Sequence, residues 1–464
     1  MSPTPPSGER GETETVRKYA VALTFLLVVS GCGGSPDAAI LATTQAPATT
    51  AAPVTTQAPA TTVPPTTTAA PTKPYEGVTL TFGKAPHGED EAANMAVWLA
   101  GFEEQTGINV EHTVIPWDNL EATYTASFAG SAPYDVTYQT STHLSLFGEL
   151  GAFKEVSGLF NQADYAGERS HFSDGIVNAS LYKGKLYGIP ALVGTIMMYA
   201  NLDLMAKAGI TEIPSTGPEL VAAATAIQSP PEVWGFYTPT TVADYGWYFN
   251  LANVHNFGGD IISDDFETAT IDSQAVLDAT QYATDLICTD GVQPPLGQYD
   301  REGAIELFKA GKLAFLLDEP LRVSIFEEEG LPFDWDVAMP VGNNGNISQF
   351  ATSGFWVIAE KSDKQEAAWE LVKFLSSADF SKTYNERYAF VPVRDDVDVS
   401  GGNEKLARNI EWAQTSWDGL KTHPKIGQLL DEYAKALEEA TTCNADIAEL
   451  LEAAQARAED VLAG

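Results

Sequence analysis

From residue 77 onward, short runs of β-branched and aromatic residues alternate with longer stretches whose apolar positions recur every three to four residues. That change of period predicts strands and amphipathic helices in an α/β arrangement. Residues 78–82 (Val-Thr-Leu-Thr-Phe) predict a first strand, and 92–107 a helix with Met95, Trp98, Leu99 and Phe102 on one face, stopped by Gly107. A strand at 109–115, a helix at 119–127 and a strand at 135–138 complete a β-α-β-α-β opening.

Further along, 186–190 and 195–199 are extended and apolar, and 201–205 opens a helix. A helix over 301–310 precedes a buried strand at 311–317, and a strand at 353–359 precedes a helix over 364–375 with Ala367, Ala368, Leu371, Val372 and Phe374 on its apolar side. Gly or Pro accompanies each of these three strand regions, which suits a chain passing between two bodies. Three such crossings imply two discontinuous lobes. The Ala-, Glu- and Leu-rich stretch after Pro424 predicts C-terminal helices packed on one of them.

Composition agrees with two cores. At 464 residues and 44% hydrophobic content the chain exceeds what one core serves, roughly 250 to 300 residues. Sixty-three acidic residues against 26 basic ones give a formal charge of −37, which repels phosphate backbones and argues against nucleic acid as a partner.

The N-terminus carries a separate signal. Arg17 and Lys18 precede an apolar run at 19–29 that leads into Ser30-Gly31-Cys32. The run is too short to span about 30 Å of hydrocarbon, and small residues precede the cysteine, as a processing site needs. The segment resembles a bacterial lipoprotein signal. That resemblance implies a signal peptide at 1–31, a lipid on Cys32 and attachment to the outer face of the cell membrane. Residues 32–74 are mainly Thr, Ala and Pro, with the octet Thr-Thr-Gln-Ala-Pro-Ala-Thr-Thr at 43–50 and again at 55–62. Such a composition cannot form a core and predicts a tether, with a fully extended reach on the order of 100 Å.

Cys288 and Cys443 are free to oxidise outside the cell, but their distance in sequence leaves the pairing open. Neither has a Cys or His at metal-ligand spacing, and the six His residues form no H-E-x-x-H pattern, so neither a metal nor a cofactor is expected.

Four segments together carry a family resemblance: GKLYGIP at 184–190, YANLDLMAKAGI at 199–210, FKAGKLAFLLDEP at 308–320 and GFWVIAEKSDKQEAAWELVKFLSS at 354–377. In this order the chain resembles the extracellular solute-binding proteins of ABC importers, in particular the carbohydrate-binding family related to maltose-binding protein. The resemblance implies a two-lobed periplasmic-binding-protein-like fold with discontinuous lobes joined by hinge crossings, a ligand in the cleft, and docking of a monomer on ABC permease subunits. The expected lobe boundaries are 75–188 with 316–358, and 189–315 with 359–464.

Sugar capture requires flat apolar faces for the C–H side of a pyranose ring and convergent polar groups for its hydroxyls. Trp117 and Asp118 offer both at a strand end, where the competing role is a core tryptophan with a helix-capping aspartate. Tyr245 and Trp247 stand beside a glycine near Asp244. Trp356 follows Ser353-Gly354 and is placed to face the cleft; Glu319 and Arg322 emerge from a strand end, where an ordinary salt bridge is the alternative. In family terms Tyr199, Asn201 and His87 are cleft-edge candidates. Polyamines remain an alternative ligand given the acidity.

No catalytic residues are expected. The chain contains no G-x-S-x-G, P-loop or dinucleotide fingerprint, and the pairs Asp264-Asp265 and Asp395-Asp396 lie in no recognisable motif. A hydrolase would need such a constellation, and an adhesin would show repeated β-domains, which the pattern lacks.

Overall fold

The computed structural model describes residues 73–342, 349–415 and 417–464. The expected signal peptide, Cys32 and nearly all of the expected tether lie outside these residues. In chain order the strands are β1 (Thr79–Lys84), β2 (Asn109–Val114), β3 (Val136–Thr140), β4 (Leu181–Tyr182), β5 (Lys185–Leu186) and β6 (Gly188–Gly194). They continue with β7 (Met197–Asn201), β8 (Trp234–Tyr237), β9 (Leu313–Asp318), β10 (Trp335–Ala338), β11 (Gln349–Ile358) and β12 (Trp417–Gly419).

Two sheets, each with its own core, make the two lobes. In the first, the order is β12-β11-β3-β1-β2, with β6 also paired to β11; β1 runs parallel to β2 and β3, and β11 runs antiparallel to β3. Leu80, Phe82, Met95, Leu99 and Phe102 pack beneath it, which is the apolar stripe expected of the first strand and helix. The second sheet has the order β10-β7-β9-β8. Every residue of β7 and β9 is buried, consistent with strands covered on both faces. The C-terminal helices Ile426–Ala440 and Ile447–Ala463 close the second lobe through Leu429, Tyr433, Leu451 and Ala454. Cys288, ending the helix Gln274–Cys288, forms a disulfide with Cys443 in the turn between those two helices.

The lobe boundaries differ from the sequence expectation in several segments. The stretch 316–341, assigned by pattern to the first lobe, supplies the end of β9, the helix Leu321–Glu329 and β10 to the second. Conversely, the helices Gln365–Leu375 and Ala378–Tyr388, expected in the second lobe, bury Trp369, Leu371 and Tyr384 in the first lobe's core. Strands β6 and β12, both expected in the second lobe, also belong to the first sheet.

Of the three expected crossings only the passage from β6 to β7 joins the lobes; 311–317 and 353–359 run inside their own sheets. Their glycines have other work. Gly311 turns the chain at φ 69° after the helix Arg301–Lys309, and Gly354 lets the Tyr138 ring lie directly on its backbone. Among the described residues no helix is long and apolar enough to cross a membrane.

Candidate functional site

The loops that follow β1 and β2 leave the first sheet at the carboxyl ends of parallel strands, where open α/β sheets commonly form sites. Three residues past β1, His87 stacks on Trp117 at 5.6 Å between ring centres, with an interplanar angle of 29°. Trp117 opens a single 3-10 turn after β2, and its indole N–H donates to the Pro86 carbonyl at 2.7 Å, tying the two loops together. Edge-on to His87 stand Tyr138 of β3 at 4.9 Å and Phe390, just past the helix Ala378–Tyr388, at 4.7 Å. Four rings from four segments of the first lobe thus form one aromatic wall.

Beneath the wall Lys84 and Glu91 form a fully buried ion pair at 2.9 Å. The Lys84 ammonium lies 5.3 Å from the centres of the Tyr138 and Tyr384 rings and donates to the Ala85 carbonyl. Burial lowers the Lys84 pKa despite the opposing pull of Glu91. Burial, helped by the Lys84 charge, also pushes His87 well below the ordinary imidazole range, so the ring is neutral at physiological pH.

The second lobe brings a tyrosine and a carboxylate to this wall. Tyr245 precedes the helix Gly246–Asn256 in the left-handed conformation at φ 57°, and its hydroxyl lies 3.5 Å from Oδ1 of Asp118. A side chain on Gly246 would strike the Thr240 backbone at 2.5 Å, so the turn that aims Tyr245 requires glycine there. Burial and the Asp118 charge push the Tyr245 phenol up to about 12. Past β9, Glu319 sits close enough to Tyr138, Tyr245 and Tyr248 to raise all three phenols further, behind the larger effect of burial.

Arg301 anchors that carboxylate. It donates to both oxygens of Asp318, at 3.0 and 2.7 Å, and to Glu319 at 2.8 Å, with its guanidinium 5.0 Å from the Phe249 ring centre. Burial alone would raise the Asp318 carboxyl, but the charges and hydrogen bonds of Arg301, with Arg322, hold it below the usual carboxylate range.

Of the residues singled out from sequence, His87, Trp117, Asp118, Tyr245 and Glu319 converge on this junction. Trp247 is half-buried against the second core and its neighbour Tyr248. Four candidates stand elsewhere. Trp356 is only 2% exposed among Phe82, Tyr138, Phe380 and Tyr384, because β11 is flanked by β3 and β6 and its faces are covered. Tyr199 is buried against Phe308, Phe326 and Trp335 with its hydroxyl on the Glu319 carbonyl. Asn201 caps the helix Leu202–Lys207 by accepting from the Leu204 amide. Arg322 is committed to Asp318 and Glu302.

Sequence reasoning missed Tyr138, Phe390 and Arg301. Tyr138 carried a signal, an aromatic near the end of a strand parallel to β1; Phe390 and Arg301 carried none, because distant segments deliver them. One group of possible metal-binding side chains occurs among the described residues, His171 with Asp395 and Asp396, and Asp396 there is already bound by Arg394.

A model of the family described as "Bacterial extracellular solute-binding protein" matches residues 98–411. The chain belongs to that family. Among its relatives is a binding protein of Brucella abortus, 26% identical over 309 residues that cover 66% of this chain and 74% of the relative. Another is the galactooligosaccharide-binding protein of Bacillus subtilis, 23% identical over 77% of this chain and 83% of that one. Among solved structures, an ABC substrate-binding protein from Listeria monocytogenes in complex with cycloalternan superposes with a TM-score of 0.73. It covers 83% of this chain and 99% of its own at 19% identity, and so establishes the two-lobed fold of this extracellular solute-binding protein.

Proposed function

We propose that this chain captures a mono- or oligosaccharide in the cleft between its lobes and presents it to the permease of an ABC importer. One observation carries the reading: the rings of His87, Trp117, Tyr138 and Phe390 form one wall in the first lobe, and the second lobe reaches it with the Tyr245 hydroxyl 3.5 Å from Asp118 and with the Glu319 charge near enough to raise the Tyr138 phenol. Flat apolar faces take the C–H side of a sugar ring, and the carboxylates accept from its hydroxyls. The relatives support the same class, since one is a galactooligosaccharide-binding protein and a structural neighbour holds cycloalternan. Ligand that touches both lobes favours the closed form by its extra contacts, and the closed form is the one that docks. In this reading a lipid on Cys32 holds the protein at the outer face of the cell membrane, a single copy serves as the working unit, and the bound sugar leaves chemically unchanged.

The test is a thermal-shift screen of the full-length chain against sugars, polyamines, short peptides and divalent cations. A ligand at about 100 times its Kd adds about 2.7 kcal/mol of stability. A sugar hit recovered intact supports the reading; a hit by a polyamine or metal alone, or turnover of the sugar, refutes it. Mass spectrometry of the membrane-extracted chain checks for diacylglycerol on Cys32.

A further inference from the structure

We infer that His87 is a specificity-determining residue whose ring is locked with its proton on Nδ1, so that Nε2 presents a bare lone pair to the ligand. The inference rests on the cleft reading above and adds to it which ligand group this part of the wall selects.

One shared proton decides the tautomer. The Tyr384 hydroxyl lies 2.5 Å from His87 Nδ1 and 3.3 Å from Oε2 of Glu91. It has a single hydrogen to give. If that hydrogen pointed at Nδ1, the hydroxyl lone pairs would face the buried Glu91 carboxylate, and the His87 proton would sit on Nε2, where no protein acceptor among the described residues meets it. If the hydrogen points at Glu91, the hydroxyl is free to accept from Nδ1–H, and every donor in the chain Glu91, Tyr384, His87 has an acceptor, with only the Nε2 lone pair left open. Buried polar groups follow the satisfied arrangement.

The rest of the assembly holds that order in place. Lys84 fixes Glu91 from the other side at 2.9 Å, and Oε2 of Glu91 also accepts from the His87 backbone N–H at 3.3 Å. Trp117, Tyr138 and Phe390 clamp the imidazole plane. The second nitrogen of a ligand-binding histidine is commonly set by what holds the first.

The neighbouring polar groups offer acceptors too. The Trp117 indole N–H is committed to Pro86, Lys84 to Glu91 and the Ala85 carbonyl, and Arg301 to Asp318 and Glu319, whereas the Asp118 carboxylate meets Tyr245 at the junction and the Glu319 charge acts on Tyr138 and Tyr245 there. A ligand seated here must therefore supply hydrogen-bond donors. Sugar hydroxyls qualify; a carboxylate or phosphate at the same position meets lone pairs and negative charge, so a uronic acid or sugar phosphate is rejected in favour of its neutral counterpart.

The experiment is 15N-detected NMR of the full-length chain labelled on histidine, at neutral pH and without ligand. A pyrrole-like Nδ1 and a pyridine-like Nε2 for His87, collapsing toward averaged shifts in Tyr384→Phe, is the expected result. A protonated Nε2 in the wild type, or shifts that Tyr384→Phe leaves untouched, overturns the inference. This readout needs no ligand, so it stands apart from the sugar screen, whose silence would count against the binding reading alone.

Where the screen yields a neutral sugar, its addition should move the Nε2 resonance upfield. His87→Asn keeps an amide near the Nδ1 position but has nothing at Nε2, and should weaken binding by roughly tenfold. His87→Gln returns an acceptor at that distance and should recover part of the loss. An Nε2 resonance blind to a bound sugar, or equal affinities for a sugar and its uronic acid, would overturn the assignment.

Discussion

The Tyr245 hydroxyl lies 3.5 Å from the Asp118 carboxylate, and these two side chains belong to different lobes. Tyr245 reaches across from a left-handed residue at the head of its helix, a conformation that costs an L-residue about 1 to 2 kcal/mol and persists where packing enforces it. The contact therefore marks the seam between the lobes, on which closure acts in the proposed function. Tyr245→Phe keeps the ring and removes the bond, and should lower sugar affinity by about fivefold, equivalent to about 1 kcal/mol, with stability of the free protein little changed. Calorimetric titration decides it; unaltered affinity would place the contact outside the liganded state.

Trp117 and Trp356 should behave as opposites. Trp117 is half-buried at the seam, so Trp117→Ala should abolish most sugar binding and leave a cooperative fold. Trp356 fills the first lobe's core, and Trp356→Ala should cost about 3 to 5 kcal/mol of stability. Urea unfolding of both variants, alongside their affinities, separates the roles; the two costs coming out alike would contradict this division.

Local pattern reveals strands and helices well here because the buried faces repeat at strand and helix periods, as Met95, Leu99 and Phe102 do. Lobe membership is different in kind. The helix Gln365–Leu375 has the same apolar stripe whichever sheet it covers, and only the route of β11 back through the first sheet decides the matter. The site was legible where one short segment carries both ring and carboxylate, as Trp117-Asp118 does. It was opaque at Phe390 and Arg301, which need the folded chain to acquire neighbours. Trp356 misled because alternation along a strand tells which residues share a face but not what covers that face.

The Lys84–Glu91 pair is a buried ion pair, so breaking it on one side should cost more than replacing it whole. Glu91→Gln strands a buried ammonium and should destabilise by about 3 to 5 kcal/mol, while Lys84→Met with Glu91→Leu should recover most of that loss. The double variant also removes the acceptor for Tyr384, so its recovered stability should come with weakened sugar binding. Denaturant midpoints and affinities measured together test this; a double variant no more stable than Glu91→Gln would show that the pair is not the cause.

The Cys288–Cys443 disulfide ties positions 155 residues apart, bridging the helix Gln274–Cys288 to the C-terminal helix pair. A loop of that length restrains the unfolded chain by up to about 5 kcal/mol on chain-entropy grounds. Reduction, or Cys288→Ser with Cys443→Ser, should lower the melting temperature while leaving the first lobe's aromatic wall intact, because the bridge lies wholly in the second lobe. Equal melting curves with and without reductant would mean that the bond does not form or does not restrain.

Acid should weaken the fold through its buried imidazoles. His112 and His143 are both held down to about 4 by burial, with the Lys84 charge adding to the effect at His112, and His87 is lowered in the same direction. A group whose folded pKa is depressed binds its proton first in the unfolded chain. Its stabilising contribution is therefore complete above the unfolded value of about 6.5 and declines as pH falls from there toward 4. At pH 5.5 the buried His143 alone should cost on the order of 1 kcal/mol relative to pH 7.5. Arg301 keeps Asp318 ionised lower still, so its loss follows only at more acidic pH. Melting temperatures between pH 7.5 and 5 should fall, and His143→Gln should flatten that slope; a slope identical to the wild type would show that the imidazole is protonated in the folded state without penalty.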